Sequence, residues 1–196
     1  MAKSILRCAA AVLAAMLVAA GCSGNKDQAA QGKGKPRIAL VMKSLANEFF
    51  KTMEDGARAH QQAHADQYEL IAQGIKNEED VQKQIDIVDQ MISQGVNAIV
   101  IAPANSKALV PVCKRAIDRG IKVVNIDNKF DDAVLADQKA AIPFVGPDNR
   151  AGARKAGQVL AGKLQAGDEV AIIAGIPDAF NGVQRQAGFE DAAKTA

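Results

Sequence analysis

VNAIVIAPANSKALVPVCKRAIDRGIKVVNIDN, residues 96–128, decides the fold. Its first apolar run, 98–101, has strand length and no charge. Residues 107–119 then carry apolar groups at helical spacing, irregular before Pro111 and stopped by Gly120. A second apolar run, 122–126, closes the unit. Strands without polar alternation are buried on both faces, and a helical crossover between two of them makes them parallel. The same rhythm extends outward in both directions. Upstream it predicts strands at 37–42 and 68–72 and helices at 47–65 and 77–94, the second capped by Asn77 and stopped by Gly95. The acidic run Glu78-Glu79-Asp80 suits the positive end of that helix. Downstream it predicts a short strand at 143–146, a helix at 151–164, a strand at 169–174 and a helix at 183–194. The fold class is therefore α/β, a doubly wound parallel sheet.

Composition narrows the partners. The chain has 196 residues, 24 Lys and Arg against 22 Asp and Glu, and a net charge of +2. Nucleic-acid binding needs clustered excess basic groups, so no nucleic-acid partner is expected. Apolar residues at 48% and charged residues at 23% are ordinary for a packed domain.

The N-terminus reads as an address. Lys3 and Arg7 precede an uncharged run, 8–20, whose 13 residues fall short of the ~20 needed to span a bilayer as a helix. The run ends in Leu17-Val18-Ala19-Ala20-Gly21-Cys22, which resembles a bacterial lipobox with Ala19 in place of a bulkier aliphatic. That resemblance implies a signal peptide over 1–21, a lipidated Cys22 and attachment to a membrane through the lipid anchor. Residues 22–35 hold no large apolar group and form a flexible tether. Cys113, among Val110, Val112, Ala116 and Ile117, reads as a buried, unreactive thiol.

In an open parallel sheet, ligands bind beyond the carboxyl ends of the strands, where strand order reverses. That rule selects Lys43-Ser44-Leu45-Ala46-Asn47-Glu48-Phe49-Phe50, Ala102–Ser106, Asp127-Asn128-Lys129 and Gly175–Asn181. These loops pair flat apolar rings with amides and carboxylates. A sugar ring matches both, since an apolar face stacks on Phe while hydroxyls need groups that donate and accept. Phe50 shares the helix stripe of Met53 and Ala57, so core and ligand roles are both open for it, and Asn47 is equally a helix cap. Phe49 lies off the stripe and is the better ligand candidate.

From residue 36 onward the chain resembles the type I periplasmic sugar-binding proteins, the ribose-binding group of ABC-transporter receptors. IALVMKSLANEFF (38–50), VNAIVIAPANSKALVP (96–111), IKVVNIDN (121–128), PFVGPDNRAGARKAG (143–157) and GIPDAFNGVQRQAGF (175–189) carry the likeness. The resemblance implies two lobes closing on a monosaccharide or polyol, which is handed to an ABC transporter permease. Its ligand positions fall on Lys43, Ser44, Asn47, Phe49, Phe50, Asp127, Asn128, Phe180, Asn181 and Arg185. Lys43 stands where a small polar residue is common and Ala102 where the ribose receptor has Asn. Lys43 is thus either a surface lysine or a group admitting an acidic sugar. The expected division is an N-terminal lobe over 36–146 and the hinge with an incomplete start of the second lobe over 147–196.

Other chemistry finds little footing. His60 and His64 stand at i, i+4, favoured at a helix end by the dipole, with no third ligand apparent, so no metal is expected. Gly32-Lys33-Gly34-Lys35 precedes a strand instead of following one, which excludes a phosphate loop. Asp131, Asp132 and Asp137 read as a solvated polar loop. No dinucleotide fingerprint or nucleophile elbow occurs, so neither enzymatic activity nor a cofactor is expected. The competing readings are an exported flavodoxin-like α/β enzyme, which needs a cofactor or nucleophile at the strand ends, and a LacI-type effector-binding domain, which needs a DNA-binding head where the signal and tether stand.

Overall fold

A computed structural model describes residues 34–165 and 167–194. The expected signal peptide, Cys22 and all but the last two residues of the expected tether lie outside the described residues. Five strands, β1 (Arg37–Ser44), β2 (Glu69–Ile75), β3 (Ala98–Ile101), β4 (Lys122–Ile126) and β5 (Phe144–Val145), form one sheet in the order β2-β1-β3-β4-β5. Every pairing is parallel. Between them run α1 (Glu48–Ala63), α2 (Val81–Ser93), α3 (Val110–Asp118) and the short α4 (Asp132–Asp137). Two further helices, α5 (Asn149–Ala161) and α6 (Phe180–Ala193), follow β5.

β1 shows why both faces are covered. Ala39 and Val41 point into a cluster with Ile87, Val88 and Met91 of α2 and Val112, Cys113 and Ala116 of α3. Leu40 and Met42 point the other way, against Phe50, Met53 and Ala57 of α1. The alternation of strand side chains thus feeds two apolar layers from one uninterrupted run. Cys113 is fully enclosed, and burial pushes its thiol up to about 12, the state of an inert packing group.

Several helix starts differ from the sequence expectation. Asp80, not Asn77, caps α2 by accepting from Lys83 N at 3.1 Å; Asn77 instead accepts from Glu79 N and turns the chain before the helix. Either residue has the right side chain, and only the path out of β2 selects one. The acidic stretch from Asp131 is not a plain loop, because Asp131 accepts from Val134 N and starts α4. α3 begins only at Val110, with Pro111 in its first turn, where a missing N–H is harmless.

The largest departure is 169–174, expected as a strand. Among the described residues it pairs with no strand, and Val170, Ile172 and Ile173 are exposed, Ile173 almost completely. Apolar content gives a segment strand propensity, but a strand exists only where a neighbour supplies the ladder. α5 and α6 cross tightly beside it. A side chain at Gly157 would meet Ala192 Cβ at 2.7 Å, and one at Gly188 would meet Ala153 Cβ at 2.9 Å and strike the Arg150 carbonyl. Arg150 Nε also bonds Asp191 Oδ2 at 2.7 Å across that crossing.

Candidate functional site

Lys43 lies inside β1, near its carboxyl end, and its side chain is only 4% exposed. A buried ammonium requires a counter-charge. It has Glu78, whose Oε2 lies 3.8 Å from Nζ, and its Nζ stands 5.8 Å from the centre of the Phe50 ring. Glu78 Oε1 in turn accepts from Asn47 Nδ2 at 3.0 Å. Asn47 is also the N-cap of α1, its Oδ1 accepting from Phe49 N at 3.0 Å. One amide therefore starts the helix and orients an acid.

The cap fixes the two rings that follow. Phe50 is buried in the α1 layer, whereas Phe49 is 56% exposed. Their centroids are 5.1 Å apart with planes at 83°, an edge-to-face pair. The ring on the helix stripe, Phe50, packs inward and the one off it, Phe49, is exposed, although both line the cavity.

Asp127 follows β4 in the left-handed region, φ 58°, a conformation Asp tolerates better than most residues. Its Oδ2 is buried without a hydrogen-bond partner. Burial pushes the Asp127 carboxyl above the ordinary carboxylate range; Lys43 and Arg185 pull it back down and Glu78 adds a smaller upward push. An unpartnered carboxylate oxygen is a strong acceptor waiting for a donor.

Lys43, Asn47, Phe49, Phe50, Glu78, Asp127, Asn181 and Arg185 line one cavity of about 370 Å³, floored in part by Gly175, Ile176, Ala179 and Gly182. That is within the range of small-molecule sites. Arg185 is exposed, its Nε held 2.9 Å from Asn149 Oδ1. A larger cavity, about 570 Å³, lies between the unpaired 170–175 segment and α5 and α6. It is lined mostly by Leu160, Leu164, Val170, Ile172, Phe189 and small residues, with Arg185 and Gln186 as its polar side chains and no carboxylate. Chemistry therefore places the candidate site in the smaller one.

Three expected ligand residues do not reach the cavity. Ser44 is buried and its Oγ donates to Lys76 O at 2.7 Å. Asn128 is fully buried, its Nδ2 donating to Pro103 O at 2.9 Å and its Oδ1 accepting from Asn181 N at 3.1 Å. Phe180 is half-buried outside the cavity, with Lys129 Nζ 5.8 Å from its ring centre. In each case a neighbouring backbone group or charge holds the side chain, which position along the chain does not disclose. Glu78 was missed as a site residue, because three consecutive acids before a helix carry no sign of which one turns inward. Lys43 is not a surface lysine.

His60 and His64 stack at 4.3 Å, with His60 Nδ1 2.7 Å from the Tyr68 hydroxyl. Among the described residues no group of three or more His, Cys, Asp or Glu is placed to hold a metal.

Comparison with known proteins identifies the family and its relatives. The family model for the periplasmic binding protein domain matches residues 38–196. The chain is 64% identical over 162 residues to the D-ribose/D-allose-binding protein of Pseudomonas aeruginosa, covering 83% of this chain and 51% of that protein. It is 31% identical over 171 residues to the ribose import binding protein of Bacillus subtilis, covering 87% and 50%. Among solved structures, an ABC transporter solute binding protein from Burkholderia multivorans is similar with a TM-score of 0.80 at 60% identity, covering 83% of this chain and 57% of that one. One from Actinobacillus succinogenes with bound D-allose gives 0.73 at 32%, covering 82% and 55%. These relatives are binding proteins of transport systems rather than enzymes. The chain spans about half the length of the curated relatives it matches.

Proposed function

We propose that this chain, which belongs to the periplasmic binding protein domain family, carries the ligand-capturing cavity of a sugar-binding lipoprotein of an ABC importer. The ligand is a neutral monosaccharide or polyol, and its onward partner is the permease. Asp127 carries the reading: a carboxylate lining the cavity, one of its oxygens buried without a partner, together with the exposed ring of Phe49 matches a hydroxyl donor on a flat ring. Phe49 stacks on the sugar; Asn47, Asn181 and Arg185 take the remaining hydroxyls. A hydroxyl in the wrong place strands a buried polar group, at about 1–3 kcal/mol each.

The charges favour a neutral ligand. Lys43 and Arg185 face Glu78 and Asp127, so the cavity walls sum to zero, and Lys43 is already engaged by Glu78. An acidic sugar would bring an uncompensated charge into a partly desolvated space. The D-ribose, D-allose and ribose named for the relatives are neutral and fit this balance.

Thermal unfolding of the exported protein with D-ribose, D-allose, myo-inositol, D-glucuronate and L-amino acids is the test. Stabilisation of about 2.7 kcal/mol at a hundred times Kd is expected for at least one neutral sugar or polyol and none for glucuronate. Stabilisation by amino acids alone, or by glucuronate over its neutral parent, would overturn the reading.

The lipoprotein part rests on the sequence ending at Cys22 and has its own check. Cells expressing the protein are expected to incorporate labelled palmitate into it and retain it with membranes. The Cys22→Ala variant is expected to lose both. Labelling that persists in the variant would refute the anchor.

A further inference from the structure

α6 begins without a cap of its own. Its N-cap residue is Ala179, in the extended conformation a cap requires (φ −97°, ψ 111°) but with no side-chain oxygen to use it. Three of the four other long helices are capped by a side chain from adjacent sequence, Asn47 for α1, Asp80 for α2 and Asp148 for α5; α3 also lacks a side-chain cap bond and starts with Pro111 in its first turn, where one N–H is missing anyway. The first two N–H groups of α6 are satisfied from far away. Phe180 N donates to Ser106 Oγ at 3.1 Å, across 74 residues, and Asn181 N donates to Asn128 Oδ1 at 3.1 Å, across 53.

Both acceptors are fixed on the sheet's carboxyl edge. Ser106 follows β3, and its backbone is held twice, N to Asp178 O at 3.3 Å and O from Asp131 N at 3.0 Å. Asn128 follows β4, is fully buried, and is held by its own bond to Pro103 O and by Asn125 Nδ2 donating to its carbonyl at 2.8 Å. The helix they cap carries Asn181 and Arg185 to the cavity.

We infer that Ser106 and Asn128 are positioning residues that cap α6 from the sheet edge and thereby favour the state in which Asn181 and Arg185 face Asp127 and Phe49. This rests on the receptor reading for its consequence, though the bonds do not. When α6 moves away from the sheet edge, its first N–H groups turn to water and the caps are lost; when it returns, they are regained without any ligand atom taking part. Such a bias raises apparent affinity by raising the fraction of binding-competent molecules. It also accounts for an otherwise unsuited alanine at a cap position, because a local cap would stabilise α6 equally in both states and provide no bias.

The experiment compares the full-length protein with Ser106→Ala, with Ala179→Ser and with the double variant Ser106→Ala/Ala179→Ser, reading amide hydrogen exchange and binding of D-ribose and D-allose. In Ser106→Ala, exchange at Phe180 and Asn181 is expected to quicken in the ligand-free protein. Sugar affinity is expected to fall about fivefold, the equivalent of a typical cap, as the competent fraction falls. The double variant is expected to regain melting temperature, but its affinity is expected to stay about fivefold below that of Ala179→Ser alone, the reference that carries the same added hydroxyl at the cavity wall. Recovery of both together would overturn the inference and make Ser106 a plain helix stabiliser. Unchanged exchange at Phe180 in Ser106→Ala would overturn it also. Faster exchange in a protein that binds neither sugar in any version would support the distant cap while overturning the receptor reading.

Discussion

Asp127→Asn is expected to lower affinity for the cognate sugar by roughly 100-fold or more at pH 7 while raising the melting temperature of the ligand-free protein. The loss follows from replacing a carboxylate with a weaker acceptor: a hydrogen bond to a charged group contributes about 1.5–3 kcal/mol, and a carboxylate can take two hydroxyls. The gain follows from the direction of its shift. Burial places the folded pKa of Asp127 above its ordinary value of 3.8. A raised acid pKa means the fold tolerates the protonated form better, so the ionised group weighs against folding once pH exceeds the folded pKa. Below the ordinary value the carboxyl is protonated in both states and that weight is gone. The stability advantage of the Asn variant is therefore present at neutral pH and disappears on acidification toward pH 3.8, with wild-type sugar affinity falling over the same descent. Calorimetric binding and unfolding at pH 7 and pH 4 check both parts. A variant with wild-type affinity would remove Asp127 from the site.

Gln84→Met is expected to be the most damaging substitution in the core despite preserving side-chain volume. Gln84 is completely buried on α2, where its Nε2 donates to Met42 O at 3.1 Å and Ala102 O at 2.9 Å, and its Oε1 accepts from Ala104 N at 2.7 Å. It ties the carboxyl end of β1 to the chain leaving β3, the two segments that flank the reversal of strand order. Each stranded buried group costs about 1–3 kcal/mol, so a loss of about 3–5 kcal/mol is expected. That is a large part of the total stability of a domain. Denaturant unfolding measures it: the midpoint should fall while the slope with denaturant stays constant. A change below 1 kcal/mol would mean water replaces the amide and that the loops do not depend on it.

Gln84 also marks where sequence reading stopped. An amide at 84, three residues after Val81 and four before Val88, sits on the apolar stripe of its helix, and that placement was the one available sign. The spacing reveals an enclosed polar group; it does not reveal which carbonyls it meets. Asn125 is similar, a polar residue in the apolar strand β4 whose Nδ2 bonds Asn128 O and whose Oδ1 accepts from Phe130 N at 2.8 Å. Glu78, Ser106 and Asn128 gave no sign of their roles, because each depends on a partner more than twenty residues away.

Apart from the short α4, the order of strands and helices through β5 was legible because burial on both faces writes itself into uninterrupted apolar runs, and helix amphipathicity into a period of 3.6. For the same reason the neighbourhood of Lys43, Asn47, Phe49, Phe50 and Asp127 was legible: in a parallel sheet, sequence position just past a strand is already a position in space. Where a segment's state depends on partners, the amino-acid chain alone was silent. Residues 169–174 have the composition of a strand and no neighbour to pair with, and Lys43 became a buried ion instead of a surface one only because Glu78 arrives beside it from another crossover. Local periodicity determined what the elements are; long-range hydrogen bonding and charge pairing, which act between atoms brought close only by folding, decided what each polar group at the cavity is free to do.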